Sequence, residues 1–368
     1  MQVKYSYLPE QFSDFESMIP ELREFVASGE FTLGPYVDKF EKKFANYIGV
    51  KHVISTNNGT DALILSLKAV GVKPGDEVIT VANTFVATAG AIVACGAIPV
   101  FVDCDARYSI DVSKIEAAIT SKTKAILPVH WAGAPADMDE ILKIADRHKL
   151  SVVEDACPSV GASINGKSVG TFGHVNAFSM HPLKPLNVWG DGGMVVTNDD
   201  TYADWLRLYR NHGLKDRDHV EIWGVNNRLQ PFQAIVGCRV LDTMSTIIDV
   251  RNSHARRLDS GLKDLKDFVT VPERPSHMRE VYQLYLCTVK KRDALLKFLI
   301  DAGIEAKIHY PIPLHLQNAS KLFGYKKGDF PVAEKQAGEI ITLPSHQHLT
   351  SEQIDFIINR IHAFYLDL

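Results

Sequence analysis

Cysteine is scarce: Cys95, Cys104, Cys157, Cys238 and Cys287 are the only five, widely spaced and mostly set in apolar runs. An odd, scattered set excludes a disulfide framework and reads as reduced thiols in a reducing compartment. No His/Cys pattern has metal-ligand spacing, so no metal site is expected. Long apolar runs are missing as well. No stretch reaches the ~18 consecutive apolar residues of a membrane span, and the start, MQVKYSYLPEQFSDF, has neither the basic nor the apolar segment of a secretion signal. A cytoplasmic protein with no membrane partner is expected. A basic excess is absent too: 40 Lys and Arg stand against 44 Asp and Glu, a formal net charge of −4. That balance disfavours nucleic acid as a standing partner. The G-x-G-x-x-G fingerprint and the nucleophile elbow are both lacking.

What is present is a chain of 368 residues, enough for one large and one smaller domain. From about residue 50 to 200, short strand-type runs alternate with helical patterns: Val53–Ser55, EVITV at 77–81, IPVFVD at 98–103, KAILPV at 124–129, SVVED at 151–155 and VNAFSM at 175–180. This alternation predicts βαβ units around a mostly parallel sheet, an α/β fold. After about residue 250 the pattern becomes α+β, with a strand over 281–289, a helix over 292–302, a strand over 304–309 and a terminal helix. That last helix carries Ile354, Ile357, Ile358, Ile361 and Phe364 on one face, and Thr350 with Gln353 offers a capping box.

GASINGKS at 161–168 satisfies the pattern of a phosphate-binding P-loop. A true one opens a helix, whereas SVGTFGHV follows here and Asn165-Gly166 has the composition of a hairpin turn. Nucleotide hydrolysis is set aside on that context.

The chemically capable residues fall just after strands, at the carboxyl edge where open α/β sheets bind ligands. Asn58-Gly59-Thr60-Asp61 opens a helix whose free N–H groups suit a phosphate; the bland alternative is a plain N-cap at Thr60. Asp155 ends an apolar strand, where a carboxylate is costly without a cation or several donors, although a structural salt bridge or cap would also serve. Phe85, after EVITV, is either an aromatic wall of the same crevice or core. Ser179, His181 and Lys184 follow VNAFSM, with Pro182 and Pro185 stiffening the backbone and a glycine cluster at Gly190, Gly192 and Gly193 beyond. Lysine becomes an imine-forming nucleophile when partly desolvated, and the surroundings weaken the reading of an exposed loop lysine. A phosphate cradle, an aromatic platform, a carboxylate and a lysine together fit pyridoxal 5′-phosphate (PLP).

These segments resemble the DegT/DnrJ/EryC1/StrS family of PLP-dependent sugar aminotransferases nearly end to end: FTLGPYVDKFEKKFANYIGVKH, NNGTDAL, NTFVATAGAI, VEDACPSVGA, FSMHPLKPLNVWGDGG, GVNNRLQPFQAIVG, HYPIPLHLQ and TLPSHQHLT. The resemblance implies the type I PLP-transferase fold, with a large PLP-binding domain over 1–248 and a smaller C-terminal α+β domain over 249–368. The N-terminal segment is a candidate to pack on the smaller one. By matching position, it implies Lys184 as the covalent anchor and general acid/base and Asp155 as partner of the pyridine nitrogen. Phe85 would stack on the ring, Gly59, Thr60 and Ser179 would bind the phosphate, and Asp61 is counted with the cofactor-binding residues. Asn226 would reach that phosphate from a neighbouring subunit, making a homodimer with shared sites. His181, His309, Tyr310 and His315 fall in segments lining the sugar side.

The implied reaction moves an amino group from L-glutamate to the ketone of a nucleotide-linked keto-deoxysugar, toward amino sugars of surface polysaccharides or secondary metabolites. Related sugar dehydratases carry histidine at the position of Lys184, which argues against that chemistry. A cyclitol aminotransferase and a non-catalytic PLP- or sugar-binding regulator are the other readings, the latter disfavoured because no helix-turn-helix or basic recognition segment is seen. One departure stands out. The family's glutamine three positions after the aspartate, which bonds the cofactor's phenolic oxygen, is Pro158 here, so Ser159, another group or a water is expected to take its place.

Overall fold

Runs such as Glu77–Val81 and Gly193–Thr197 are rich in Val, Ile and Met and buried at almost every position, the pattern of strands covered on both faces. In the computed structural model, which describes residues 1–366, they lie at the centre of the molecule. Four parallel strands run in the order β3 (Ile98–Val102), β2 (Glu77–Val81), β4 (Thr123–Leu127), β5 (Ser151–Val152). Asp155 continues the sheet: it bridges Val129 on one side and Ala177 on the other, both in parallel. Ala177 belongs to β8 (Asn176–Ser179), which pairs antiparallel with β9 (Gly193–Thr197), itself antiparallel to β1 (His52–Thr56). β9 is thus the strand that runs against the others, and the expected mostly parallel α/β sheet is present.

Alternate residues of the same strands feed two apolar clusters, as the two-residue strand period requires. Val53, Ile79, Ile126, Phe178 and Met194 meet the helices Pro35–Ile48 and Met138–His148 on one face. Ile54, Val78, Leu127, Ala177 and Val195 meet Gly59–Ala69, Val86–Ala94 and Asp200–Tyr209 on the other. The P-loop look-alike is a hairpin, β6 (Ser163–Ile164) with β7 (Lys167–Ser168), turning on Asn165 and Gly166 at φ 50° and 80°. Both central residues are left-handed, as a type I′ turn demands.

The second core gathers Val3, Ala255, Leu258, Tyr285, Cys287, Leu295, Ile341, Ile354, Ile357 and Ile361. Its strands are β10 (Val269–Thr270), β12 (Tyr285–Val289) and β13 (Ile340–Leu343), while β11 (Met278–Arg279) pairs with β6. The 31-residue helix Pro231–Gly261 runs through position 248, so helix rather than linker joins the two cores. The N-terminal segment does pack on the second one: Val3 bridges Ile304, with N–H···O bonds to and from Gly303 and Glu305 at 2.9 and 3.0 Å. The terminal helix, Ser351–Leu366, has the expected capping box, with Thr350 N–H donating to Gln353 Oε1 at 2.9 Å and Gln353 N–H to Thr350 Oγ1 at 3.3 Å.

Two strand expectations are corrected. Over 304–309 only single bridges form, Val3–Ile304 and Lys307–Thr342, because the segment meets two different partners one residue at a time. Over 281–289 the ladder begins at Tyr285, because Val281 and Leu284 pack in the first core and give their N–H groups to the Gly133 and Ala132 carbonyls. All five cysteines are free thiols and four are buried.

Candidate active site

The helix Gly59–Ala69 starts at the carboxyl end of β1, and its cap is Asn58 rather than Thr60. Asn58 Oδ1 accepts from the Asp61 N–H at 2.8 Å, while its Nδ2 donates to Asp61 Oδ2 at 2.8 Å, so the Asp61 carboxylate steadies the cap. The N–H groups of Gly59 and Thr60 have no partner among the described residues, which leaves them for an anion at the positive end of the helix. A Cβ on Gly59 would sit 2.6 Å from the Ser179 Cβ and 2.9 Å from its Oγ, so only glycine lets the helix start come this close to β8. Ser179 is buried, and its Oγ accepts from the His181 N–H at 3.3 Å, leaving its own proton free to donate. Gly59, Thr60 and Ser179 therefore form one cradle; Asp61 supports it from behind.

Asp155 lies one strand over, buried at 4% exposure. Its Oδ2 accepts from the Thr88 hydroxyl at 2.7 Å and its Oδ1 from the Cys157 N–H at 3.2 Å. Both donors are neutral, and no cation pairs with the carboxylate among the described residues. The neighbouring acid Glu154 points the other way: it accepts the N–H groups of Gly170, Phe172 and Gly173 at 2.6–2.7 Å and meets His130 Nε2 at 2.8 Å. Glu154 thus folds the loop after the hairpin, and Asp155 is left for the cleft. Thr88 was not foreseen; its signal is a small polar residue three positions after Phe85, in the first turn of the helix Val86–Ala94.

Lys184 is half-buried in the segment between β8 and β9. Burial pushes its amine below the ordinary lysine value, against the opposing pull of Cys157 and Asp155. A lysine so placed keeps more of its nucleophilic neutral form. The Asn187 amide donates to its carbonyl at 3.1 Å. Phe85 is half exposed over the crevice, its ring 6.1 Å from that of Tyr310, which in turn lies 5.4 Å from Trp131.

Among the residues expected on the substrate side, Tyr310 is in this aromatic group, and burial pushes its hydroxyl up to about 12. His309 faces Thr342 Oγ1 at 2.8 Å and is pushed down to about 4 by burial, then by the Lys184 and Lys307 charges. His181 is exposed beside Lys184, and burial of part of its ring lowers its pKa, with Asp191 opposing. His315 is buried, bonded to Glu334 at 3.0 Å and packed on Phe330. Asn226 is exposed and accepts from Arg228 at 2.9 Å; no contact among the described residues brings it to Lys184 of its own chain. Ser159 does not replace the missing glutamine: its buried hydroxyl donates to the His130 carbonyl at 2.6 Å, and that commits its one proton.

The model of the DegT/DnrJ/EryC1/StrS aminotransferase family matches residues 13–362. The chain belongs to that family. Among relatives of this aminotransferase, the pleiotropic regulatory protein of Geobacillus stearothermophilus is 42% identical over 99% of both chains. The dTDP-3-amino-3,4,6-trideoxy-alpha-D-glucose transaminase of Micromonospora megalomicea subsp. nigra is 38% identical over 97% of both. The crystal structure of S. venezuelae DesV in complex with a ketimine intermediate superposes with a TM-score of 0.96 at 35% identity, covering 99% of this chain and 98% of that one. The family is PLP-dependent, and solved members carry PLP or its amine form. The residues here fit that group: an open cradle for its phosphate, a buried carboxylate in no salt bridge among the described residues for a protonated ring nitrogen, and a lysine within its electrostatic reach.

Proposed function

We propose that this aminotransferase works as a cytoplasmic homodimer, transferring an amino group from L-glutamate to the ketone of a nucleotide-linked deoxysugar. The observation that carries the site assignment is Asp155, a buried carboxylate held by the neutral donors Thr88 and Cys157, in no salt bridge among the described residues and within electrostatic reach of Lys184. An acid so placed is stable when a ligand brings the positive charge. Gly59, Thr60 and Ser179 would hold the PLP phosphate, Phe85 would cover one face of the ring, and Asp155 would keep the ring nitrogen protonated. PLP so bound supplies the electron sink that makes the donor's α-proton acidic.

Lys184 then has two tasks. Its Nζ anchors the cofactor at rest and, once released, carries the proton from the donor's α-carbon; the depressed basicity of the buried amine suits both. His309 stays neutral, so it contributes a hydrogen-bonding ring rather than a charge to the sugar side. Tyr310 stays protonated and offers a donor there. The sugar reading is supported by the transaminase names of relatives that match over nearly all of their length. Asn226, exposed near the 91%-exposed Trp223, suits a surface segment that a second subunit would cover. Five free thiols support a reducing compartment.

The test is spectroscopic. Purified protein with PLP should convert to the amine form of the cofactor on addition of L-glutamate, with one 2-oxoglutarate formed per site. Lys184→Ala should fold, with a near-native melting curve, and lose turnover by three orders of magnitude or more. Wild-type turnover in that variant would remove Lys184 from the reaction. The regulatory reading, favoured by the name of the relative in Geobacillus stearothermophilus, predicts PLP binding without 2-oxoglutarate.

A further inference from the structure

The segment that carries Lys184 is packed into the first core just beyond it, at Leu186 and Val188, but the lysine itself sits in a stretch with few backbone hydrogen bonds. Between Ser179 at the end of β8 and Gly193 at the start of β9 the chain forms neither helix nor ladder. The Lys184 N–H bonds within its own turn, to the His181 carbonyl at 2.8 Å. The carbonyl of Lys184 takes two donors. One is local, the Asn187 amide at 3.1 Å; the other comes from 177 positions away, the hydroxyl of Tyr7 at 3.2 Å.

Tyr7 is itself held on every side. It is buried at 3% exposure, with the Arg251 guanidinium 5.1 Å from its ring centre and the His346 ring 5.0 Å away. Arg251, buried at 1%, is fixed by the Gln347 side chain and the Tyr282 carbonyl, both at 2.9 Å. The strap that bears Tyr7 is fastened to the second core through Val3 and through Lys4, whose carbonyl meets His346 Nε2 at 3.0 Å. Burial raises the Tyr7 pKa, so the hydroxyl remains a donor throughout the neutral range.

We propose that Tyr7 is a positioning residue for Lys184: clamped by Arg251 and His346, its hydroxyl fixes the backbone from which the reactive amine projects. The smaller core thereby sets the aim of a lysine that belongs to the larger one. The inference rests on the reading of Lys184 as the anchor of the cofactor. Covalent capture of PLP joins the lysine nitrogen to the aldehyde carbon with loss of one water, and its rate depends on that aim. Binding of the phosphate does not, because the cradle is built from Gly59, Thr60 and Ser179.

The experiment compares the wild-type apoprotein with Tyr7→Phe, which keeps the ring and removes only the hydroxyl. Two probes are used: PLP, followed by absorbance during capture, and pyridoxine 5′-phosphate, which has the ring and phosphate but no aldehyde. Capture of PLP is expected to slow about threefold or more, the scale of one lost hydrogen bond, while affinity for pyridoxine 5′-phosphate stays unchanged. Amide hydrogen exchange over 181–190 is expected to speed up. Equal capture rates would overturn the proposal, and so would equal weakening of both ligands, which would make Tyr7 a packing residue. Should Tyr7→Phe fail to fold, Arg251→Lys, which spares the hydroxyl and loosens its clamp, is read in the same way. Lys184→Ala run beside them separates the two claims. If it captures PLP as the wild type does, the reading of Lys184 fails; if it does not, and Tyr7→Phe matches wild type, only the positioning role fails.

Discussion

At the scale of single residues, several groups are kept in one protonation state by their surroundings. His309 is the plainest case. Burial, with Lys184 and Lys307 nearby, holds it near 4 in the folded protein, against an unfolded value of about 6.5. Between those values the unfolded chain binds a proton that the folded one does not, so stability rises with pH through that window and levels off above it. Replacing His309 with Gln should flatten part of the fall in melting temperature from pH 6.5 to 4; an unchanged slope would show that the ring charges freely. His346, also pushed down to about 4 by burial, keeps a similar slope of its own in the variant. Thr88 acts at the same scale, because its hydroxyl and a backbone N–H are what make a buried Asp155 tolerable.

At the scale of elements, the decisive contact is the start of the helix Gly59–Ala69 against β8. Gly59→Ala would drive a methyl to within 2.6 Å of the Ser179 Cβ, so the helix start and the strand must part. Overpacking of this kind costs about 1–3 kcal/mol. The expected result is a modestly lower melting temperature together with weakened binding of pyridoxine 5′-phosphate, measured by titration; binding at wild-type strength would show that the cradle is not where the phosphate sits. The strands over 52–56, 77–81 and 98–102 were legible to within a residue or two, since their runs are bounded by turn residues, whereas the run expected over 151–155 forms a ladder only at Ser151–Val152 and continues by single bridges at Asp155. The hairpin at 163–168 was legible for the same kind of reason, Asn-Gly being suited to two left-handed positions. The segment 304–309 was not. Its β-type composition says it can pair, but whether it forms a ladder depends on partners, and here Val3 and Thr342 each take one residue.

At the scale of the whole molecule, the proposed sharing of each site between two subunits makes its own prediction. Lys184→Ala and Asn226→Ala chains, each inactive alone, should recover part of the activity when mixed, because a hybrid dimer would carry one site with both residues intact. Hybrids that assemble and stay inactive would place Asn226 outside the partner's site. The same scale explains the N-terminal strap. Tyr5, Tyr7 and Gln11 lie at the start of the chain, yet Tyr5 stacks on His309, Tyr7 bonds to Lys184 and Gln11 bonds to Gln347.

The sequence by itself determined the sheet-and-helix alternation and the family, and it singled out Lys184, Asp155, Phe85 and the Asn58–Asp61 turn as candidates for one site. Each of these rests on local pattern or on residues close in the chain, where spacing and composition carry the information. Only the tertiary structure decided that Asn58 caps the helix, that Thr88 holds Asp155, that the Ser159 proton is committed to His130, and that Tyr7 ties down Lys184. The physical reason is one of reach. A side-chain hydrogen bond spans about 3 Å, and which groups come that close across 177 positions is settled by how the two cores pack, not by anything written beside either residue.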